Sequence, residues 1–487
     1  MTHTTLHARR SQPGGLSLAW MLALLLSGCA SLTPPPRDLG TVAVPSAWSV
    51  PSAQAAGVPS ATDLATWWQR FDDPALTALV TQALQANTSV KSAQAALLQA
   101  RAQADVQQAG LGPSVGTSAS AQRSQSGNNS ASNRFQAGFD ASWEPDIFGG
   151  NRSAAQASET DAQASAASLA NVQVSLAAEV ATNYINLRGL QTRLAIASSN
   201  LATQSETLQI TRWRAQAGLV SSLDVEQAVS ATEQTRAQIP ALQTSVSQAL
   251  NALAVLTGQA PGALNVTLGK AAPIPPAPAD LALAFPTDTL RQRPDVRAAE
   301  LRAQAAWSRV AVADAARYPS FKLSGSLGLS ALTLGALTDG ASLLKSVLAG
   351  VSMPLFDGGA AKAQVRVQEA ALQQARVAYE AAVLTALQDV EDALVAIQGD
   401  RERLTRLQAA ASAAANAELL ARQRYESGLI DFATVLSTQR SLLSAQDSVA
   451  STQASLGADH VRLYKALGGG WTPDAATPPE PALGAQH

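Results

Sequence analysis

One side chain in this sequence stands where a covalent step is prescribed. Cys29, the sole cysteine of 487 residues, directly follows Leu26-Ser27-Gly28. Arg9 and Arg10 precede an apolar run from Leu16 to Leu26, the order of a secretion signal, and a small residue before cysteine calls for cleavage there and acylation of the thiol. The run is too short to cross a bilayer as a helix. Ala30 stands where an aspartate would favour inner-membrane retention, so the outer membrane is the expected destination. Elsewhere the chemistry thins out. The four histidines, His3, His7, His460 and His487, have no metal-ligand spacing, and no glycine-rich loop ends in Lys-Ser or Lys-Thr to hold a nucleotide phosphate. No nucleophile, base and orienting group can be assembled, so no catalytic residue, metal or cofactor is expected beyond a lipid on Cys29. Gly149-Gly150, Gly358-Gly359 and Gly468 to Gly470 read as strand-to-helix turns and a helix stop.

The composition asks for helices. Apolar residues make up 46%, aromatics 4% and charged residues 14%, with alanine dominant, which favours long helices in small-residue contact. A net charge of -2, a pI near 6.1 and no basic tract exclude nucleic acid as a partner. One cysteine permits no intramolecular disulfide.

The chain matches itself. Val90, Ala93, Pro113 and Ser114 recur 206 positions later as Val296, Ala299, Pro319 and Ser320. Glu179-Val180, Arg212, Arg214 and Gly218-Leu219 match Asp389-Val390, Arg422, Arg424 and Gly428-Leu429 at 210, and Leu256-Thr257-Gly258 answers Leu467-Gly468-Gly469 at 211. Two tandem structural repeats follow, each a helix, two short strands, a very long helix, a tight turn and a returning helix. The expected layout is a signal peptide over 1–28, a linker over 29–61 and a first repeat over 62–258. A proline-rich equatorial linker over 259–286, a second repeat over 287–470 and a flexible tail over 471–487 complete it.

Within the repeats, Asp73 and Pro74 start a helix predicted to run to about Ala109, and a second-half counterpart starts at Thr287. Phe135, Ala137, Phe139, Ala141 and Trp143 alternate with polar or small residues. So do Phe321, Leu323, Leu327 and Leu329, and Val347, Ala349, Val351 and Met353; Leu348 alone breaks the polar face. Four strands of about ten residues have the length to cross a bilayer at a tilt but are too few to close a barrel. Several chains must then pool them, and three would give twelve. After Gly150 the stretch to Ala217 holds no proline and one glycine, Gly189, and its apolar positions from Leu169 to Leu201 step by three or four, as do Tyr379 to Leu404. This is a coiled-coil pattern on the order of 100 Å long.

Several ordered marks resemble the outer membrane factors, the TolC-like exit ducts of tripartite machines. They are Trp67-Trp68 with Phe71 and Asp73-Pro74; Ser142 to Gly149; Arg291-Gln292-Arg293-Pro294-Asp295 with Ala299-Glu300; Pro354 to Gly359; and Tyr464-Lys465-Ala466-Leu467 through Trp471. With the Cys29 signal, they are most similar to the lipoprotein branch serving resistance-nodulation-division pumps. The resemblance implies an α+β membrane protein, a homotrimeric channel with a shared twelve-stranded β-barrel in outer-membrane lipid and a coiled-coil α-barrel in the periplasm. It implies a periplasmic adaptor protein and an inner-membrane pump as partners, with small amphiphilic compounds leaving passively. In the family the tips dock the adaptor, which here points to Arg214, Gly218, Leu219, Arg424, Tyr425, Gly428 and Leu429. A Leu-Asp-Ala-Gln-Arg motif contributes to the family's periplasmic constriction and here reads Leu436-Ser437-Thr438-Gln439-Arg440. Ser437 replaces the aspartate, leaving Asp431 or Asp224 as candidate partners of Arg440. A protein-secretion duct and a non-channel coiled-coil envelope lipoprotein are the alternatives.

Overall fold

The computed structural model describes residues 43–45, 47–48, 64–128, 130–278, 290 and 293–471. The signal segment, Cys29, most of the linker, the Thr287 helix start and the tail beyond Trp471 lie outside the described residues. The chain divides into two compact units.

The first unit, drawn from Arg101–Thr160 and Ala303–Gln374, is built on one sheet. Strands β1 (Ser114–Ser124), β2 (Ser132–Trp143), β3 (Ser320–Ala331) and β4 (Leu343–Ser352) lie in that order, every pair antiparallel. The period of two puts the predicted apolar residues on one face: Phe139 pairs with Leu327, Trp143 with Leu323, and Leu323 with Ala349. Asp140, Gln136, Lys322, Ser324 and Ser346 share the other face. Leu344 joins Leu348 among them, because β4 starts three residues before the first position read as its strand, at Ser346. Gly138 faces Gly328 across β2 and β3; a Cβ on Gly138 would stand 2.8 Å from the Gly328 Cα, so only glycine fits that approach. Phe148 stacks on Tyr318 at 4.9 Å, beside the turn where Asp146 accepts the Arg152 amide at 2.7 Å and starts the next helix.

The second unit is helical and includes residues 64–100, Asp161–Arg302 and Ala375 onward. Helix α1 (Pro74–Ala86) begins as predicted: the Asp73 carboxylate accepts from the amides of Ala75 and Leu76, with proline at the first position. It does not run to Ala109. Asn87 is extended, and its side-chain oxygen accepts from the Ser89 amide, so α2 (Thr88–Ala109) starts afresh. The Asn87 amide also donates to the Leu256 carbonyl, and one polar side chain thereby ends one helix, caps the next and holds a third.

Helix α3 (Gly150–Gln216) is followed by α4 (Ser222–Leu256), a single helical turn at Asn265–Leu268 and, after Arg293, α5 (Pro294–Ala315). Helix α6 (Ala360–Glu426) and α7 (Phe432–Ala466) complete the second half. α3 and α6 have 67 residues each and start 210 positions apart, as do the 35-residue α4 and α7. α2 and α5 are offset by 206, so the four extra residues of the second half fall between β3 and α6. Gly258 and Gly468 both end a helix with positive φ and the same pair of backbone bonds, which sets that match at 210 rather than 211.

Val180, Tyr184, Leu187, Val390 and Leu394 from the predicted helical stripes are buried in the main core. Its aromatic centre joins the segment before α1 to the end of α7: Trp67 stacks on Tyr464 at 5.2 Å, and the Gly470 amide donates to the Leu64 carbonyl. The glycine ending is therefore more than a helix stop, since a Cβ on Gly469 would meet Trp67 at 2.9 Å. Burial pushes the Tyr464 hydroxyl up to about 12. The Tyr184 hydroxyl donates to the free oxygen of Asp73 at 2.8 Å, and buried Arg188 donates to the carbonyls of Leu268 and Lys270, tying the start of the proline-rich segment to α3. Arg293, also buried, donates to Asp295, Asp389 and the Ala466 carbonyl, fixing the start of α5. Burial raises the Asp295 carboxyl, but the Arg293 guanidinium more than reverses that and holds it below the usual carboxylate range. Among the described residues no helix is long and apolar enough to cross a membrane.

Candidate functional site at the helical tips

The turns between α3 and α4 and between α6 and α7 share one backbone. Gly218 and Gly428 take φ of 71° and 72°. At each, the glycine amide bonds three residues back and the following leucine amide bonds five back, to Arg214 O and Arg424 O at 2.8 Å. This closes the helix with a left-handed residue, which glycine adopts without penalty. Three residues after each glycine the next helix is capped, by different groups. Ser221 and Asp224 form a reciprocal capping box at α4, whereas at α7 the Asp431 carboxylate accepts from the amide and hydroxyl of Thr434. The hydroxyl and carboxylate have exchanged positions between the two tips. Those Thr434 bonds hold the Asp431 carboxyl below the usual range.

The predicted docking residues do not behave as a set. Leu219 and Leu429 are 73% and 74% exposed, beside exposed Trp213 and Leu223. Arg424 is exposed as well. Tyr425 is not a surface residue: at 3% exposure it packs with Leu208, Ala228, Phe432 and Val435 in a core of the tips' own, because its ring closes the gap between the two hairpins. Arg214 turns inward too. Its guanidinium donates at 2.7 Å to the carbonyls of both Tyr425 and Glu426 and sits 4.4 Å from the Tyr425 ring centre. A cation thus caps the carbonyl end of the neighbouring long helix, where the dipole favours it. Sequence reading missed this bridge, although an arginine placed just before a helix-ending glycine was its signal.

The predicted constriction residues are dispersed. Asp224 and Asp431 are engaged in capping, and neither forms an ion pair with Arg440. Arg440 lies nine positions after Asp431, the cap of α7, two and a half turns at the usual pitch, which keeps them apart. Ser437 and Arg440 instead line a cavity of about 690 Å³ together with Glu226, its one carboxylate. Arg440 also borders a second cavity, where Arg193 grips Asp447 with bonds of 2.7 and 3.1 Å. Sequence reading singled out neither Glu226 nor this pair.

A sheet with one apolar and one polar face, two matched pairs of long helices and uncovered tips agree with a family match covering most of the chain. The model of the outer membrane efflux protein family matches residues 79–259 and 285–469. The chain belongs to the outer membrane efflux protein family. The pyoverdine export outer membrane protein OpmQ of Pseudomonas aeruginosa is 33% identical over 477 residues, spanning 94% of this chain and 98% of that one. The toluene efflux pump outer membrane protein TtgC of Pseudomonas putida is 32% identical over 473 residues, 94% of this chain and 95% of its own. Among solved structures, the outer-membrane channel OprN superposes with a TM-score of 0.81 at 35% identity, covering 89% of this chain and 99% of that one. This efflux protein is thus an outer-membrane component of an export system.

Proposed function

We propose that three copies of the chain form the exit duct of a tripartite efflux pump, pooling their sheets into a twelve-stranded barrel in the outer membrane and their long helices into a periplasmic α-barrel. The observation that carries this is the sheet. Phe139, Leu327, Val347 and Val351 are exposed together on its apolar face, while among the described residues no strand pairs with the outer edges of β1 and β4. Open edges are not tolerated in lipid, so an apolar-faced sheet of this kind has to be completed by other copies.

In this reading Cys29 carries the lipid, the exposed tip residues Gly218, Leu219, Arg424, Gly428 and Leu429 meet a periplasmic adaptor, and an inner-membrane resistance-nodulation-division pump supplies the energy. Arg440, Ser437 and Glu226 belong to the periplasmic constriction, with Asp224 and Asp431 holding its helix ends. The cargo class is small amphiphilic compounds, supported by relatives named for pyoverdine export and toluene efflux. The test is the mass of the detergent-solubilised protein together with its conductance in planar bilayers. A particle of three chains that conducts, and that conducts more when Arg440→Ala loosens the constriction, is expected. A monomer soluble without detergent, or a trimer that passes no current, would overturn the reading.

A further inference from the structure

A small cavity of about 80 Å³ lies between α3, α6 and α7, near the tips, and shares Gln204 with the larger cavity that Arg440 borders. Seven of its eight lining residues are polar and none is a lysine, arginine or histidine. Two of the side-chain amides around it are engaged as donors elsewhere. The Asn200 amide donates to the Ile196 carbonyl at 2.9 Å and to the Gln446 side-chain oxygen at 3.0 Å, and the Gln439 amide donates to the Thr207 hydroxyl at 3.0 Å. Two acceptors are left over. The Oε1 atoms of Glu418 and Gln204 are sealed from solvent and have no hydrogen-bond partner, in side chains of residues only 7% and 4% exposed.

A buried carboxylate without a donor or a counter-charge is among the costliest groups a fold can hold. Water would satisfy the hydrogen bonds, and the cavity is roomy enough for it, but water leaves the charge uncompensated. The lining offers oxygen ligands without nitrogen or sulfur, which selects a hard cation over a transition metal. Its single carboxylate matches a single positive charge.

We propose that this cavity binds an alkali cation, sodium or potassium, with Glu418 supplying the charge and the Gln204 amide oxygen a second ligand. Such an ion would tie α3 to α6 ten residues before Gly428. The site would act as a fastening for the long helices just short of the tips, independent of what the tips contact.

The experiment is thermal unfolding of the full-length acylated protein in detergent, in sodium, potassium or choline chloride at equal ionic strength. The expected result is a midpoint several degrees higher in sodium or potassium than in choline, saturating with concentration. Glu418→Gln should lose that difference. Should Glu418→Gln fail to fold, Gln204→Leu keeps the charge and removes one ligand, and the cation concentration at half-effect should rise about tenfold. Equal midpoints in the three salts would overturn the proposal, as would an alkali response surviving in Glu418→Gln or left unshifted by Gln204→Leu. So would a response to calcium or magnesium alone, which would remove the single-charge assignment. None of these readouts uses conductance, so failure here leaves the duct reading standing, and failure of the duct leaves this site standing.

Discussion

The two helical tips are the same backbone put to different uses. Gly218 and Gly428 close their helices with bonds of nearly identical length, yet at the matched positions Ala215 faces Tyr425 in type, and Arg214 bridges to the other hairpin while Arg424 stays exposed. The second tip supplies the aromatic core and two helix-end carbonyls; the first supplies the cation that caps them. Backbone symmetry sets where the hairpins turn, and side-chain asymmetry makes one hairpin the clamp of the other.

The harshest way to break this comparison is Tyr425→Ala. It removes a ring buried at 3% exposure, and large-to-small changes at such sites cost about 3–5 kcal/mol. Since Arg214 also loses the ring beneath it, both hairpins should fray, seen as accelerated amide exchange over residues 208–232 and 421–440. Changing the matched Ala215 to glycine should cost about 1 kcal/mol or less. Equal losses from the two variants would mean the tips do not divide the work as described.

A sharper comparison pairs Arg214→Ala with Arg424→Ala. Two charge-assisted bonds to carbonyls predict a loss of about 1.5–3 kcal/mol for the first, and an exposed surface arginine about 0.5 kcal/mol or less for the second. Adaptor binding should order them the other way if Arg424 contacts the partner and Arg214 acts only by holding the tip. Calorimetric stability and a pull-down with the adaptor, taken on the same preparations, separate the two roles.

What the sequence made legible follows from periodicity. Strand alternation, the length of the long helices and the turn glycines are local signals repeated in two halves, and the described strands, α3, α6 and both turns lie within a few residues of where those signals put them. The break at Asn87 was hidden because Asn87 keeps both flanking helices in register with their apolar pattern while its side chain bonds Leu256 from another element. The burial of Tyr425 and the inward turn of Arg214 were not legible for a related reason. Proximity to a turn glycine says that a residue is near a tip, but whether its side chain points outward depends on the neighbouring hairpin, more than 200 positions away. Asp431 and Asp224 were sought as partners for Arg440 by charge alone, whereas a carboxylate next to a helix start has the closer claim of the first-turn amides.

Gly218→Ala and Gly428→Ala test the shared part. With matching φ and nothing within 4 Å of either added Cβ, each should cost about 1–2 kcal/mol from backbone strain alone, and equally. A clear inequality in urea midpoints would show that one tip has a second constraint.

The smallest effect distinguishes the caps by pH. The Asp431 carboxyl is held low by bonds from Thr434, so its folded pKa lies beneath the unfolded value of about 3.9. The stabilisation it gives α7 is therefore complete above that unfolded value and lost as pH falls through the folded one. The oxygen at the matched position of the first tip belongs to Ser221 and does not titrate. Acidifying from pH 5 to pH 3 should thus speed exchange of the Phe432 to Val435 amides, once corrected for intrinsic rates. Asp431→Asn retains an accepting oxygen at the cap, so it should keep most of the protection and lose the pH dependence. If the asparagine variant responds to acid as the parent does, the titrating group is elsewhere and the exchange of hydroxyl and carboxylate between the tips has no consequence for stability.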